Sequence, residues 1–219
     1  MVAKLKEQGK LDNTLIMFVS DNGASAEVVN LKYGSGEIGS ITNWTSLGVN
    51  WANVGNTPFR YYKNYSYEGG IATPLIISWT QGLKDPNRFS NFTGHFIDIM
   101  ATFVDLTGVE YPTEYTGKPI LPYEGVSLMP VVRNENPERT KPIYWAWKNG
   151  QAIRDGKWKL VRDGLKNKWS LFDMSLDPTE VNDLAEKYSQ QVEKMDRMYQ
   201  EWQQRVAIVS KSKKSSSND

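Results

Sequence analysis

The sequence predicts an α/β fold joined to a small antiparallel sheet, and three observations carry that prediction. An apolar run over residues 13–20, NTLIMFVS, is too short for a helix and ends on Asp21-Asn22-Gly23. A second strand-like run, 71–79 (IATPLIISW), precedes a stretch with helical spacing at 98–106 (DIMATFVDL) that stops at Gly108. Beyond the polar linker 133–140, RNENPERT, short strand-like pieces alternate with Asn-Gly and Asp-Gly dipeptides and lead into an amphipathic segment.

Each element follows from local chemistry. Residues 1–9 read as the last turns of an amphipathic helix on Val2 and Leu5, ended by Gly9. The run 13–20 is rich in β-branched and aromatic residues, the composition of a strand buried on both faces, as in a parallel sheet covered by helices. Residues 24–62 show weak periodicity and are expected to form a long irregular excursion, of the kind that is usually functional. In the second run Pro74 cannot donate to a ladder, so pairing is expected to begin after it. Ile97, Met100, Phe103 and Val104 recur at helical spacing and predict a buried stripe.

The pieces 143–147, 152–154, 158–161 and 170–172 are separated by Asn149-Gly150, Asp155-Gly156 and Asp163-Gly164, so a meander of four antiparallel strands is expected. Asp177-Pro178-Thr179 turns into a polar helix near 181–187, and a longer helix over 189–209 carries Val192, Met195, Met198, Tyr199 and Trp202 on one stripe. The predicted domains are an α/β portion over 1–135, a small α+β subdomain over 136–209, and a disordered low-complexity tail over 210–219, SKSKKSSSND.

Composition narrows the chemistry. The 219 residues contain no cysteine and one histidine, which excludes a disulfide scaffold, an iron–sulfur site and a cysteine nucleophile within the chain. A formal net charge of +1 gives no electrostatic reason to expect nucleic acid or an anionic membrane as partner. No stretch approaches the ~18 apolar residues of a spanning helix. The opening residues carry no signal-peptide core, so localisation is unassigned.

The candidate site residues are few. Asp21 and Asn22 place two oxygen donors at a strand's C-terminal end, which suits a hard divalent cation better than zinc, although Asp-Asn-Gly is also an ordinary turn. Lys63, among aromatic residues and ahead of Gly69-Gly70, suits an oxyanion such as sulfate or phosphate as a compact point charge, or is an exposed loop lysine. His95 is the chain's single imidazole, and either a proton-transfer role or a structural contact at the helix entry fits it. Three sequons, beginning at Asn43, Asn64 and Asn91, read as chance matches in Asn-rich loops.

In combination, five strings resemble one family. They are LDNTLIMFVSDNGA (11–24), WANVGNTPFRYYKNYSYEGGIATPLIISW (51–79), HFIDIMATFVDLTGVEYP (95–112), YEGVSLMP (123–130), and YWAWKNGQAIRDGKWKLV with WSLFDMSLDPTEVNDLAE (144–161, 169–186). Their content and order resemble the formylglycine-dependent sulfatases of arylsulfatase type, within the alkaline-phosphatase-like superfamily. The resemblance implies part of an alkaline-phosphatase-like sheet with helices, followed by a four-stranded antiparallel sheet packed on a helix. It implies that Asp21 and Asn22 are two of four protein ligands to calcium or magnesium and that Lys63 contacts the sulfate group. His95 matches a position often occupied by histidine, without an assigned step.

The departure is the nucleophile. The family makes its formylglycine from Cys or Ser in a Cys/Ser-X-Pro-X-Arg motif, which this sequence lacks, so that modification is not possible in this chain. The chain therefore resembles the C-terminal half or so of an arylsulfatase. The polypeptide alone is expected to bind metal weakly and not to turn over sulfate esters. Association with itself or with an N-terminal half is expected, since strands flanked by missing neighbours leave edges and apolar faces open. Intact relatives are commonly periplasmic or secreted.

Two other readings compete. A phosphodiesterase or phosphatase-like member of the superfamily is disfavoured because its zinc-dependent members place Asp-His-Gly where this chain has Asp-Asn-Gly. A carbohydrate-binding remnant would use the aromatic-rich loop between Asn43 and Tyr67.

Overall fold

The computed structural model describes residues 1–28, 36, 37, 39–43, 46–148 and 150–215, with side chains to 207. Its elements in chain order are α1 (Val2–Glu7), β1 (Ile16–Val19), α2 (Gly48–Asn56), α3 (Glu68–Ile71), β2 (Leu75–Ser78) and α4 (Ile97–Thr107). There follow β3 (Glu114–Tyr115), β4 (Lys118–Pro119), α5 (Met129–Val132), β5 (Ile143–Trp147), β6 (Gly150–Asp155), β7 (Trp158–Asp163), β8 (Ser170–Asp173) and α6 (Ser189–Ser215). The chain divides into two compact units, Met1–Val19 with Pro74–Pro142, and Ser20–Thr73 with Ile143–Asp219. Segment 20–73 thus groups with the four-stranded sheet in the second unit.

In the first unit β1 and β2 pair antiparallel, Ile16 opposite Ser78 and Val19 opposite Leu75, and β2 starts directly after Pro74. The expected parallel sheet buried on both faces is not what the described residues form. Phe18 is 70% exposed and Ile76 59%, because a two-stranded pair has no second layer to cover its apolar side chains. Helix α4 ends where Gly108 takes φ 65°, the left-handed conformation that glycine adopts without a Cβ penalty. Its orientation reverses the expected one. Ile97, Met100 and Phe103 are exposed, while the buried side carries Asp98, Ala101 and Thr102.

That reversal has a polar cause. The fully buried Asp98 carboxylate accepts from His95 N (2.7 Å), Val126 N (2.9 Å) and both terminal nitrogens of Arg139 (2.6 and 3.0 Å). Thr102 Oγ1 donates to Asp98 O and accepts from Leu128 N. A buried carboxylate is tolerated when its lone pairs are met in this way.

In the second unit β5–β8 form the expected meander, each strand antiparallel to the next. Strand alternation gives the sheet two apolar faces. Ile153, Leu160 and Leu171 pack with Met195 and Tyr199 of α6. Ala152, Val161 and Phe172 pack with Tyr67 and Met174, and Tyr61, Tyr65 and Trp145 lie against them. The sheet is therefore covered by α6 on one face and by a loop from segment 20–73 on the other.

The polar helix expected at 181–187 is absent. Asp177 accepts from Val181 N and Asn182 N, and Asp183 from Leu171 N and Ala185 N, so carboxylates take backbone donors and hold turns instead. Helix α6 enters the segment expected to be disordered, reaching Ser215, and residues 216–219 lie outside the described residues. Among the described residues no helix is long and apolar enough to cross a membrane.

Candidate functional site

The turn after β1 is stitched to loop 56–73 by four bonds within the second unit. Thr73 Oγ1 donates to Ser20 O (2.8 Å), Gly23 N to Gly70 O (3.1 Å), Ala24 N to Asn56 Oδ1 (3.0 Å) and Lys63 N to Ala24 O (3.0 Å). Asn56 closes the frame by donating from Nδ2 to Tyr61 O (3.0 Å). Gly23 is required for the approach, since a Cβ there would fall 1.9 Å from Gly69 O. These bonds bring Asp21, Asn22 and Lys63, more than forty residues apart in sequence, to one neighbourhood.

The side chains differ in commitment. Asp21 is exposed, and among the described residues its carboxylate has no hydrogen-bond or ion-pair partner. Half-buried Asn22 donates from Nδ2 to Gly23 O (2.9 Å), so its amide nitrogen is engaged locally. Lys63 Nζ donates to Glu27 Oε2 (3.2 Å), and that hydrogen bond and charge hold the Glu27 carboxyl below the usual glutamate value. Glu27 carries no sequence signal, because it meets Lys63 only through the fold.

Loop 60–70 is held from beneath by a charged cluster that sequence reasoning missed. Lys159 projects from β7 with 0% of its side chain exposed, donating to Glu68 Oε1 (2.6 Å) and lying 2.7 Å from Glu180 Oε1, an ion-pair distance without hydrogen-bond directionality. Glu180 Oε2 accepts from Glu68 N (2.7 Å), and Glu180 O accepts from Arg60 Nη1 (2.7 Å). The Arg60 guanidinium sits over the Tyr67 and Tyr61 rings, 5.0 and 5.2 Å from their centroids. Burial pushes the Glu180 carboxyl above its ordinary value, against the pull of Lys159. A Cβ on Gly69 would lie 2.2 Å from Tyr61 O, and one on Gly70 2.1 Å from Tyr65 O, so the double glycine permits this close fold-back.

His95 belongs to the first unit, and its contacts are those of a helix entry. Its Nδ1 accepts from Ile97 N (3.2 Å) and its own N–H donates to Asp98. Burial lowers its pKa, the Arg139 charge lowers it further and Asp98 opposes both. Of the sequons, Asn64 accepts from Trp147 Nε1 (2.8 Å), Asn91 is exposed, and Trp44 and Thr45 of the first lie outside the described residues.

The donor set fits a metal in part. Two adjacent oxygen donors at a strand end suit a hard cation, while no group of three or more His, Cys, Asp or Glu able to hold an ion exists among the described residues.

Comparison with known proteins adds the decisive observation. The Sulfatase family model matches residues 1–109, and the family described as N-sulphoglucosamine sulphohydrolase, C-terminal, matches 58–207. The chain belongs to the sulfatase family. An uncharacterized sulfatase of Schizosaccharomyces pombe is 30% identical over 200 residues, covering 83% of this chain and 36% of its own length. An arylsulfatase of Klebsiella aerogenes is 31% identical over 141 residues, 58% of this chain and 30% of that protein. The crystal structure of Ps i-CgsB with k-i-k-neocarrahexaose superposes with a TM-score of 0.68 at 26% identity, covering 92% of this chain and 39% of that one. The chain thus spans roughly a third of these relatives and covers the C-terminal part of the sulfatase fold, as its α/β elements, four-stranded antiparallel sheet and C-terminal helix require. Relatives named as sulfatases do not favour the phosphodiesterase or carbohydrate-binding readings.

Proposed function

We propose that this chain supplies one wall of a sulfate-ester hydrolysing site, with Asp21 and Asn22 as ligands to calcium or magnesium and Lys63 as the contact to the sulfuryl group. The observation that carries the reading is the bond from Lys63 N to Ala24 O, two residues beyond Asn22, which ties the lysine loop to the donor pair. A divalent cation, when bound, withdraws charge from sulfuryl oxygens and so supports attack at sulfur. The residues of this chain contribute the rest. The exposed Asp21 carboxylate and the Asn22 amide oxygen are available to a cation. The Lys63 ammonium, now on Glu27, exchanges that partner for a sulfate oxygen. The Glu68–Lys159–Glu180 cluster keeps the loop in place while this happens.

The nucleophile is not among these residues, so the chain alone binds without turning over. The alcohol half of the ester is left open, since one relative is named an arylsulfatase and another protein of the fold is solved with a saccharide.

The test is amide NMR of the full chain titrated with calcium and with inorganic sulfate. Calcium is expected to shift residues 20–24 and sulfate the Lys63 loop, with Asp21→Ala removing the first response and Lys63→Ala the second. An unchanged sulfate response in Lys63→Ala refutes the assignment, as does hydrolysis of an aryl sulfate by the chain alone.

A further inference from the structure

The β5–β6 turn brings Trp147 and Lys148 beside the Lys63 loop. There an open pocket of about 300 Å³ is lined by Tyr62, Lys63, Asn64, Tyr65, Lys148 and Asp163. We propose that this pocket is a subsite for an anionic sugar residue of the substrate, its second acidic group held by Lys148. The inference rests on the sulfuryl reading of Lys63 and adds a substrate class to it.

Four observations carry it. The Trp147 indole is 60% exposed, yet Nε1 is bonded to Asn64 Oδ1, so its flat apolar face is held beside a residue that lines the pocket. Such a face matches the C–H side of a pyranose ring. The Lys148 backbone, directly after β5, takes φ 51°, a conformation costly to a side-chain-bearing residue. Among the described residues its ammonium has no hydrogen-bond or ion-pair partner, whereas Lys63 is neutralised by Glu27. Lastly, Asp163 and Asn64 give the same pocket acceptors for sugar hydroxyls.

Asp163 decides the ligand's charge pattern. A carboxylate in the pocket opposes a ligand acidic all round, so the anion must sit at the Lys148 end and hydroxyls at the Asp163 end. The second acid is a carboxylate or a sulfate, and both offer oxygen acceptors to an ammonium.

The experiment is calorimetric titration of the full chain with three sulfate-ester saccharides. One is a monosulfated monosaccharide, one a disaccharide adding a uronate, and one a disaccharide adding a second sulfate. Lys148→Ala is expected to weaken a disaccharide about tenfold, as for loss of one charge-assisted hydrogen bond, with Lys148→Arg restoring it and the monosaccharide unaffected. Whichever disaccharide responds identifies the acid. Equal affinity of wild type and Lys148→Ala for both disaccharides, or no binding of either by wild type, overturns the subsite. Indifference of the monosaccharide to Lys63→Ala overturns the sulfuryl reading instead.

Discussion

Replacing Lys159 by methionine is the most demanding perturbation of the site's foundation. The side chain is wholly buried with carboxylate oxygens at 2.6 and 2.7 Å, and its two partners, Glu68 and Glu180, are themselves 12% and 0% exposed. Methionine keeps most of the volume, so the cavity contribution is small and the loss is electrostatic: two carboxylates remain with no cation between them. Removing one partner of a buried ion pair costs about 3–5 kcal/mol, and here one cation serves two acids, so the upper half of that range is expected. Urea unfolding followed by tryptophan fluorescence measures it, with the exposed pair Lys4–Glu7 as a control whose loss costs well under ~1 kcal/mol.

The pH dependence gives a second readout. Burial already raises the Glu180 pKa above its ordinary value of 4.5, and without Lys159 only the hydrogen bond from Glu68 N still pulls it down. A carboxyl whose folded pKa exceeds its unfolded one contributes stability below the unfolded value and loses it as pH rises through the folded value. The Lys159→Met defect should therefore be largest at neutral pH and shrink as the pH falls towards about 4.5. Adding Glu180→Gln should recover part of it by removing one stranded charge. A loss below ~1 kcal/mol at pH 7, or one independent of pH, would refute the reasoning.

Other substitutions report on other parts of the molecule. Arg139→Met leaves the Asp98 carboxylate, 0% exposed, with only backbone donors, and about 3 kcal/mol of destabilisation is expected by denaturant titration. Gly69→Ala drives a Cβ into two carbonyl oxygens at 2.2 and 2.3 Å, costing about 1–3 kcal/mol and perturbing amide shifts across loop 60–70. Glu27→Gln removes the charge that occupies Lys63, so inorganic sulfate should bind more tightly, and unchanged affinity in an NMR titration would dissociate Lys63 from the sulfuryl group. The exposed Phe18, Ile76, Met100 and Phe103 predict concentration-dependent association, which a monodisperse monomer in light scattering would contradict.

Local chemistry settled a good deal of this protein in advance. The turn dipeptides and two-residue alternation of 143–172 specify the meander, because a hairpin's register follows from its own turn. The stripe from Val192 to Trp202 specifies α6 and the face it buries, and Gly108 ends α4 by a backbone conformation that needs no distant partner. The strings around Asp21-Asn22-Gly23 and Lys63 likewise mark the family and the candidate site residues before any geometry.

What remained hidden depends on groups far apart in the chain. Lys159 reads as an ordinary outward strand lysine until loop 60–70 covers that face of the sheet with Glu68 and the segment after β8 brings Glu180. The apolar stripe of α4 reads as core until the buried Asp98–Arg139 pair turns the helix the other way. Trp147 and Lys148 read as hairpin-turn residues until Asn64 arrives beside them. In each case the energy comes from burying and pairing charge across long sequence separations, and periodicity along the chain carries no record of which distant partner will be there.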